Sequence, residues 1–283
     1  RNFYGTLRVK DVGSGDDALR RLMNGVIMHG EQYLAEGRRS EPTTYYGVTS
    51  GIARTLKALE APAIRVGVVG LGTGTLAAYG RKGDVYRFYE INPQVVDVAR
   101  REFSFLGDSS AEIETVLGDA RLAMEREAPQ RYDVLVIDAF SSDSIPVHLI
   151  TRQAMAVYLR HILPGGVIAF HVTNRFLHLA PVVKRIADEA GLQTALLSDD
   201  AEDSDLARTD WVLVTRNQAL LESPDIDLIT GIKLMSNSPD HSYSGRANMG
   251  RQTPNQTDYT RPNPNAPYGY LPNTTTVRTR AMA

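Results

Sequence analysis

From residue 64 onward the chain alternates short β-rich runs with helical patterns, and this alternation limits its fold more than any other feature. Ile64–Val69, Val85–Tyr89, Ile113–Leu117, Asp133–Ile137 and Gly166–Val172 have the composition of strands. Helical spacing follows Gly74, continues after Pro93 in QVVDVARREF, and returns at Arg121–Glu127, Thr151–His161 and Leu179–Ala190. Strands that alternate with helices build a mostly parallel sheet covered on both faces. VLVI and GVIAF are nearly unbroken apolar runs, as central strands buried on both sides require. The last two β-rich runs, Gln193–Leu197 and Trp211–Thr215, are joined by acidic DDAEDSD with no helix between them. That connection predicts a hairpin, and so one antiparallel strand near the sheet edge.

Ahead of this region, FYGTLRVKDVG alternates like a strand as far as Gly13, and Arg21–Met28 supplies a second apolar piece. Residues 1–50 are expected to form a small β-hairpin domain over 1–30 and a polar loop over 31–50. Residues 51–234 form the α/β domain, beginning with a helix at about 50–60. Residues 235–283 contain Leu271 and Val277 as their only branched aliphatic residues. Such a segment buries too little apolar surface to offset its ordering entropy, so it is expected to be a disordered polar tail.

The sequence has 283 residues, 42% hydrophobic and 23% charged, with a net charge of −2. That balance argues against a nucleic-acid surface. There are no cysteines, so disulfides, thiolate metal sites and cysteine nucleophiles are excluded. The apolar runs are too short to span a bilayer, and no signal-peptide pattern opens the chain. The first residue is Arg rather than Met, which suits a piece of a longer protein.

The strand ends carry the candidate chemistry. Gly70-Leu71-Gly72-Thr73-Gly74 follows the first strand of the α/β region, where glycines allow close approach of a ligand. Its GxGxG spacing suits a nucleoside linked to methionine rather than a dinucleotide. Glu90 closes the next strand, twenty residues after Gly70, the spacing at which an acid reaches ribose hydroxyls. Asp119, followed by Ala120, closes the third strand; it can meet an adenine amino group or cap the following helix. Asp138 closes the fourth, and no helical pattern begins directly after it. Ligands of open α/β sheets bind beyond the carboxyl ends of the strands, so all four groups share one edge. No histidine spacing suggests a metal site.

These segments resemble the polyamine aminopropyltransferases, the spermidine synthase-like family. The more specific matches are YEINP (89–93), GDAR (118–121) and IDAFSSDSIPVHLIT (137–151), supported by FYG at 3–5, NGVI at 24–27 and YYG at 45–47. The likeness covers roughly residues 1–234 and is closest to the branch fused behind membrane-transporter-like segments. It implies an α/β, Rossmann-like fold of the class I S-adenosylmethionine-dependent methyltransferase type, with a small N-terminal β-domain.

The resemblance also implies an activity. An aminopropyl group would pass from decarboxylated S-adenosylmethionine to an amine such as putrescine, in polyamine biosynthesis, without a metal. On that reading Asp138 is the acid beside the amine and Tyr45 its partner. Asp143 would meet the far end of a cationic acceptor, with Gln32 and His29 lining its site. Gly70, Gly72, Thr73, Gly74, Glu90, Asp119 and Ala120 would hold the donor. A homodimer and a cytoplasmic location are implied too, the latter including the cytosolic part of a transporter fusion. The family's GGGDG motif has an acid where this chain has Thr73, and its glutamine after DGVI is Met28 here. Two further readings stay open: a methyltransferase using intact S-adenosylmethionine, and a non-catalytic ligand-sensing domain of a transporter fusion.

Overall fold

The computed structural model describes residues 4–25, 27–59, 61–140, 145–174, 177–200, 206–227 and 233–234. Asp143 and the segment 235–283 lie outside the described residues.

The N-terminal piece is a three-stranded antiparallel sheet of β1 (Leu7–Val12), β2 (Leu19–Asn24) and β3 (Ile27–Tyr33). The expected hairpin therefore gains a third strand. Gly25, with φ 61°, turns the chain directly after Asn24, and IMHGEQY runs as strand through residues 31–33, where the polar loop was expected to have begun. Its polar residues hide this. Glu31 and Gln32 are both buried, Glu31 in an ion pair with Arg21 of β2.

The large sheet follows in chain order. Helix α1 (Gly51–Ala58) is capped by Ser50, whose hydroxyl accepts the Ala53 N–H. Strands β4 (Arg65–Val69) and β5 (Val85–Glu90) come next, then helix α2 (Pro93–Glu102), which has Asn92 as its cap. A single turn, α3 (Phe105–Asp108), leads to β6 (Glu112–Leu117), α4 (Ala120–Arg126) and β7 (Tyr132–Ile137). Helix α5 (Arg152–His161) runs into β8 (Ile162–His171), and α6 (Ala180–Glu189) leads to β9 (Gln193–Asp199) and β10 (Thr209–Thr215). The two-residue strand β11 (Lys233–Leu234) completes the set.

The strand order is β11-β9-β10-β8-β7-β4-β5-β6. Strands β8, β7, β4, β5 and β6 are parallel, and β10 runs antiparallel between β8 and β9. The antiparallel strand was expected from its sequence; its insertion inside β9 was not, because a hairpin pattern carries no information about which arm pairs with β8.

The central strands bury both faces. Val66, Val68, Val134, Val136 and Leu213 face a core shared with Ile52, Leu56 and Ala99 of α1 and α2. Val69, Leu135, Ile137, Ile168 and Phe170 face the other, shared with Met124, Met155 and Val183 of α4, α5 and α6. The unbroken apolar runs have this double burial as their cause.

One expected helix is shortened. After Gly74 the chain makes only a 3₁₀ turn, Thr75–Tyr79. Gly80 ends it after five residues and lies so close to α3 and β6 that a Cβ there would sit 2.6 Å from Ala111 Cβ. The glycine loop thus leads into a short turn, without the aligned dipoles of a long helix.

Candidate active site

The sheet order reverses about β4, whose neighbours are β5 on one side and β7 on the other. A crevice opens at the carboxyl ends of such a pair of strands. Gly70 and Asp138 stand next to each other there. The Asp138 N–H donates to Val69 O at 2.9 Å, and a Cβ on Gly70, whose φ is 101°, would lie 2.5 Å from Asp138 O. A side chain at Gly70 would force the two strand ends apart. Gly72 is equally constrained: with φ 54°, its Cβ would come within 2.7 Å of His29 O. Strand β3 of the small sheet therefore lies against the glycine loop, and His29 belongs to the same edge as Asp138.

Glu90 organises the loop. Its Oε2 accepts the Leu71 N–H at 3.1 Å and its Oε1 the Asn92 N–H at 2.8 Å. Burial raises its pKa above the usual value, and the backbone N–H groups of Asn92, Leu71 and Ile91 oppose that shift. Beside it, Leu117 pairs with Glu90 across β5 and β6 and stays 59% exposed. Ile91 and Leu122 are also exposed. Three large apolar side chains are thus left open to solvent close in sequence to Glu90 and Asp119.

Asp119 caps α4 through Oδ1, which accepts the Leu122 N–H at 2.9 Å, while Oδ2 meets His148 Nε2 at 2.9 Å. Its capping role is realised, and Ala120 begins the helix, buried against the sheet. Thr73 is buried, with its hydroxyl 2.9 Å from that of Thr75. A Cβ on Gly30 would fall 2.4 Å from Thr73 Oγ1, so this threonine packs against β3. Gln32 is a brace between the two sheets: its amide donates to Arg39 O and Ser104 Oγ and accepts the Ser104 N–H.

Asp138 is the centre of the site. Tyr46 donates its hydroxyl to Asp138 Oδ2, and His171 Nδ1 lies 2.6 Å from Oδ1. Tyr46, the residue after the expected partner Tyr45, is thus also a partner of Asp138. Tyr45 packs its ring on that of His171, with centroids 5.1 Å apart. Consecutive tyrosines in an irregular segment give no pattern by which to choose between them. The segment is held by Tyr79, which donates to Tyr46 O, by Thr43 Oγ1 on Glu31 O at 2.5 Å, and by the Ala207 N–H on Thr44 O at 3.0 Å. Burial, then the charge of Asp138, holds the Tyr46 phenol well above the ordinary tyrosine range, so it remains a donor. His29 is pushed the other way: burial lowers its pKa, against the attraction of Asp138.

His171, Trp211 and Phe140 complete the surroundings. His171 stacks on Trp211 at 4.6 Å and meets Phe140 edge-on at 5.1 Å. The histidine spacing, which suggests no metal site, does not single out His171 in the sequence. The available signal was its position, at the end of the strand that neighbours the one bearing Asp138. Among the described residues, no ion pair joins Asp138 to Lys or Arg. The site offers a carboxylate held by a tyrosine hydroxyl and a histidine beside a glycine loop, an arrangement able to hold a cation and take its proton.

No family model matches the chain. It is 31% identical over 119 residues to a polyamine aminopropyltransferase of Vibrio vulnificus (strain CMCP6), covering 40% of this chain and 38% of that one. The chain thus spans well under half the length of this curated relative. It is 26% identical over 174 residues to a putative O-methyltransferase of Mycolicibacterium vanbaalenii, covering 56% of this chain and 74% of that one. Among solved structures, a probable spermidine synthase from Corynebacterium glutamicum superposes with a TM-score of 0.62 at 15% identity, covering 81% of this chain and 83% of the other. The α/β, Rossmann-like fold is shared with that protein, and the sequence is similar to the spermidine synthase-like proteins.

Proposed function

We propose that the chain is a transferase that moves an aminopropyl group from decarboxylated S-adenosylmethionine to an amine acceptor. The observation that carries the reading is Asp138. It stands at the carboxyl end of β7, directly against the glycine loop, with its carboxylate held, among the described residues, by hydrogen-bond donors rather than by a Lys or Arg.

The donor supplies a sulfonium, which leaves as a neutral thioether when the carbon beside it is attacked. What the protein must supply is a neutral amine in line with that carbon. A primary amine with a pKa near 10.4 is unprotonated in only about one molecule in 2,500 at pH 7. Asp138 attracts the ammonium form, whose charge it offsets at short range. The carboxylate then accepts the proton as the new C–N bond forms and the C–S bond breaks. Tyr46, fixed on Oδ2, keeps the carboxylate turned. Glu90 positions the loop that takes the nucleoside. Asp143, outside the described residues, is kept as the group for the acceptor's far end, and His29 as a wall of the site.

The preference for a decarboxylated donor has an electrostatic argument. An intact donor would bring its own carboxylate close to Asp138, and like charges at short range disfavour each other. Calorimetry with each donor tests this. Tighter binding of the decarboxylated one is expected, and tighter binding of the intact one would overturn the assignment.

A second reading has one specific observation in its favour. Thr73 stands where the family has the acid for the donor's ammonium, and its hydroxyl is engaged by Thr75. A methyltransferase using the intact donor needs no such acid. The same calorimetry separates the two.

A further inference from the structure

We propose that His171 is the positioning residue of this site, its Nδ1 proton fixing the Asp138 carboxylate toward the acceptor. The inference rests on the reading that Asp138 meets the acceptor amine.

The proton on Nδ1 follows from the group it faces. An ionised carboxylate only accepts hydrogen bonds, so the ring nitrogen turned to Asp138 carries a proton. The ring is held in that orientation at its other end, where Nε2 lies 2.8 Å from Thr173 Oγ1 and 3.2 Å from Thr209 Oγ1. Thr173 Oγ1 in turn accepts the Asp210 backbone N–H at 2.8 Å and lies 3.4 Å from Thr209 Oγ1, to which it donates. Nδ1 then donates to Asp138 Oδ1 at 2.6 Å.

The ring has no room to turn. Its side chain is 3% exposed, lying flat on Trp211 with planes 14° apart and edge-on to Phe140 at 70°. The register brings Trp211 opposite His171 across β8 and β10, so the backbone ladder itself sets the stack. Tyr46 holds the other carboxylate oxygen. An ionised carboxylate has about four acceptor positions. One donor on each oxygen fixes its plane and still leaves acceptor positions for an amine. Displacement of about 1 Å in a reacting group costs about a hundredfold in rate, which is the scale a positioning contact can control.

Two substitutions separate the donor from the ring. His171→Phe keeps the stack on Trp211 and removes the Nδ1 proton. His171→Asn removes the ring and places an amide N–H near the Nδ1 position. With folding verified by thermal melting, His171→Phe is expected to lower kcat about tenfold to a hundredfold with little change in KM for the donor. His171→Asn is expected to recover most of that loss. Equal losses in both variants, or wild-type kcat in His171→Phe, would overturn the proposal. A second measurement does not need activity. In ¹⁵N-histidine-labelled protein, the resonances missing in His171→Phe are expected to be those of an imidazole protonated at Nδ1, and Asp138→Asn should shift them. An Nδ1 without a proton would overturn the positioning contact. Should the wild type transfer no aminopropyl group while the resonances show the Nδ1–H form coupled to Asp138, the functional reading fails and the positioning contact stands.

Discussion

Asp138 illustrates what a single residue's position reveals before its contacts are known. An acid closing a four-residue apolar run was recognisable as a site group because a buried strand has no need of one. Its partners were not recognisable. His171 is 33 residues downstream and Tyr46 is 92 upstream, and only the sheet order brings them together. If Asp138 takes the proton, Asp138→Asn should lower turnover about 10²–10⁴-fold while donor binding persists. Steady-state assay of thioether release with calorimetry on the same variant checks both halves. The tyrosines give a sharper comparison. Tyr46→Phe removes the hydroxyl from Oδ2 and should reduce kcat more than Tyr45→Phe, whose ring still packs on His171. Equal effects would return the role to Tyr45.

Among the elements, the loop after β4 depends on glycine for steric reasons and on Glu90 for its hydrogen bonds. Gly70→Ala places a methyl group 2.5 Å from Asp138 O at a φ of 101°. That conformation alone costs about 1–3 kcal/mol for a residue with a Cβ. Denaturant unfolding should show at least that loss, and donor binding should weaken with it. Glu90→Gln replaces one accepting oxygen by a donor amide, leaving the Leu71 or Asn92 N–H without its partner at a cost of about 1–3 kcal/mol. The order of strands and helices from residue 64 was evident from periodicity, because burial on both faces writes continuous apolar runs. The third N-terminal strand was hidden by its buried Glu31 and Gln32. Polar residues that are paired inside a fold look like loop residues in a sequence. The 3₁₀ turn after Gly74 was equally hidden, since its end is set by crowding at Gly80 against residues thirty positions away.

In the molecule as a whole, two histidines link stability to pH. Burial lowers the pKa of His29, and it also lowers that of His161, whose ring accepts the Gln130 N–H at Nδ1 and faces Met124 O with Nε2. A depressed histidine pKa means that the unfolded chain binds more protons, so its contribution is complete above about 6.5 and is lost as pH falls through the lower folded value. His161→Gln should therefore destabilise the protein near neutral pH, and its gap from wild type should narrow as the pH falls below about 6.5. Denaturation midpoints across that range decide it; a constant gap would remove His161 from the account. Among the described residues no helix is long and apolar enough to cross a membrane.

The measurement that bears most directly on the chemistry is mass spectrometry of the products formed from each donor with a panel of amines. Aminopropylated amine together with methylthioadenosine is expected from decarboxylated S-adenosylmethionine, and both should disappear in Asp138→Asn. Methylated amine from the intact donor, with no aminopropylated product from the decarboxylated one, would contradict the account.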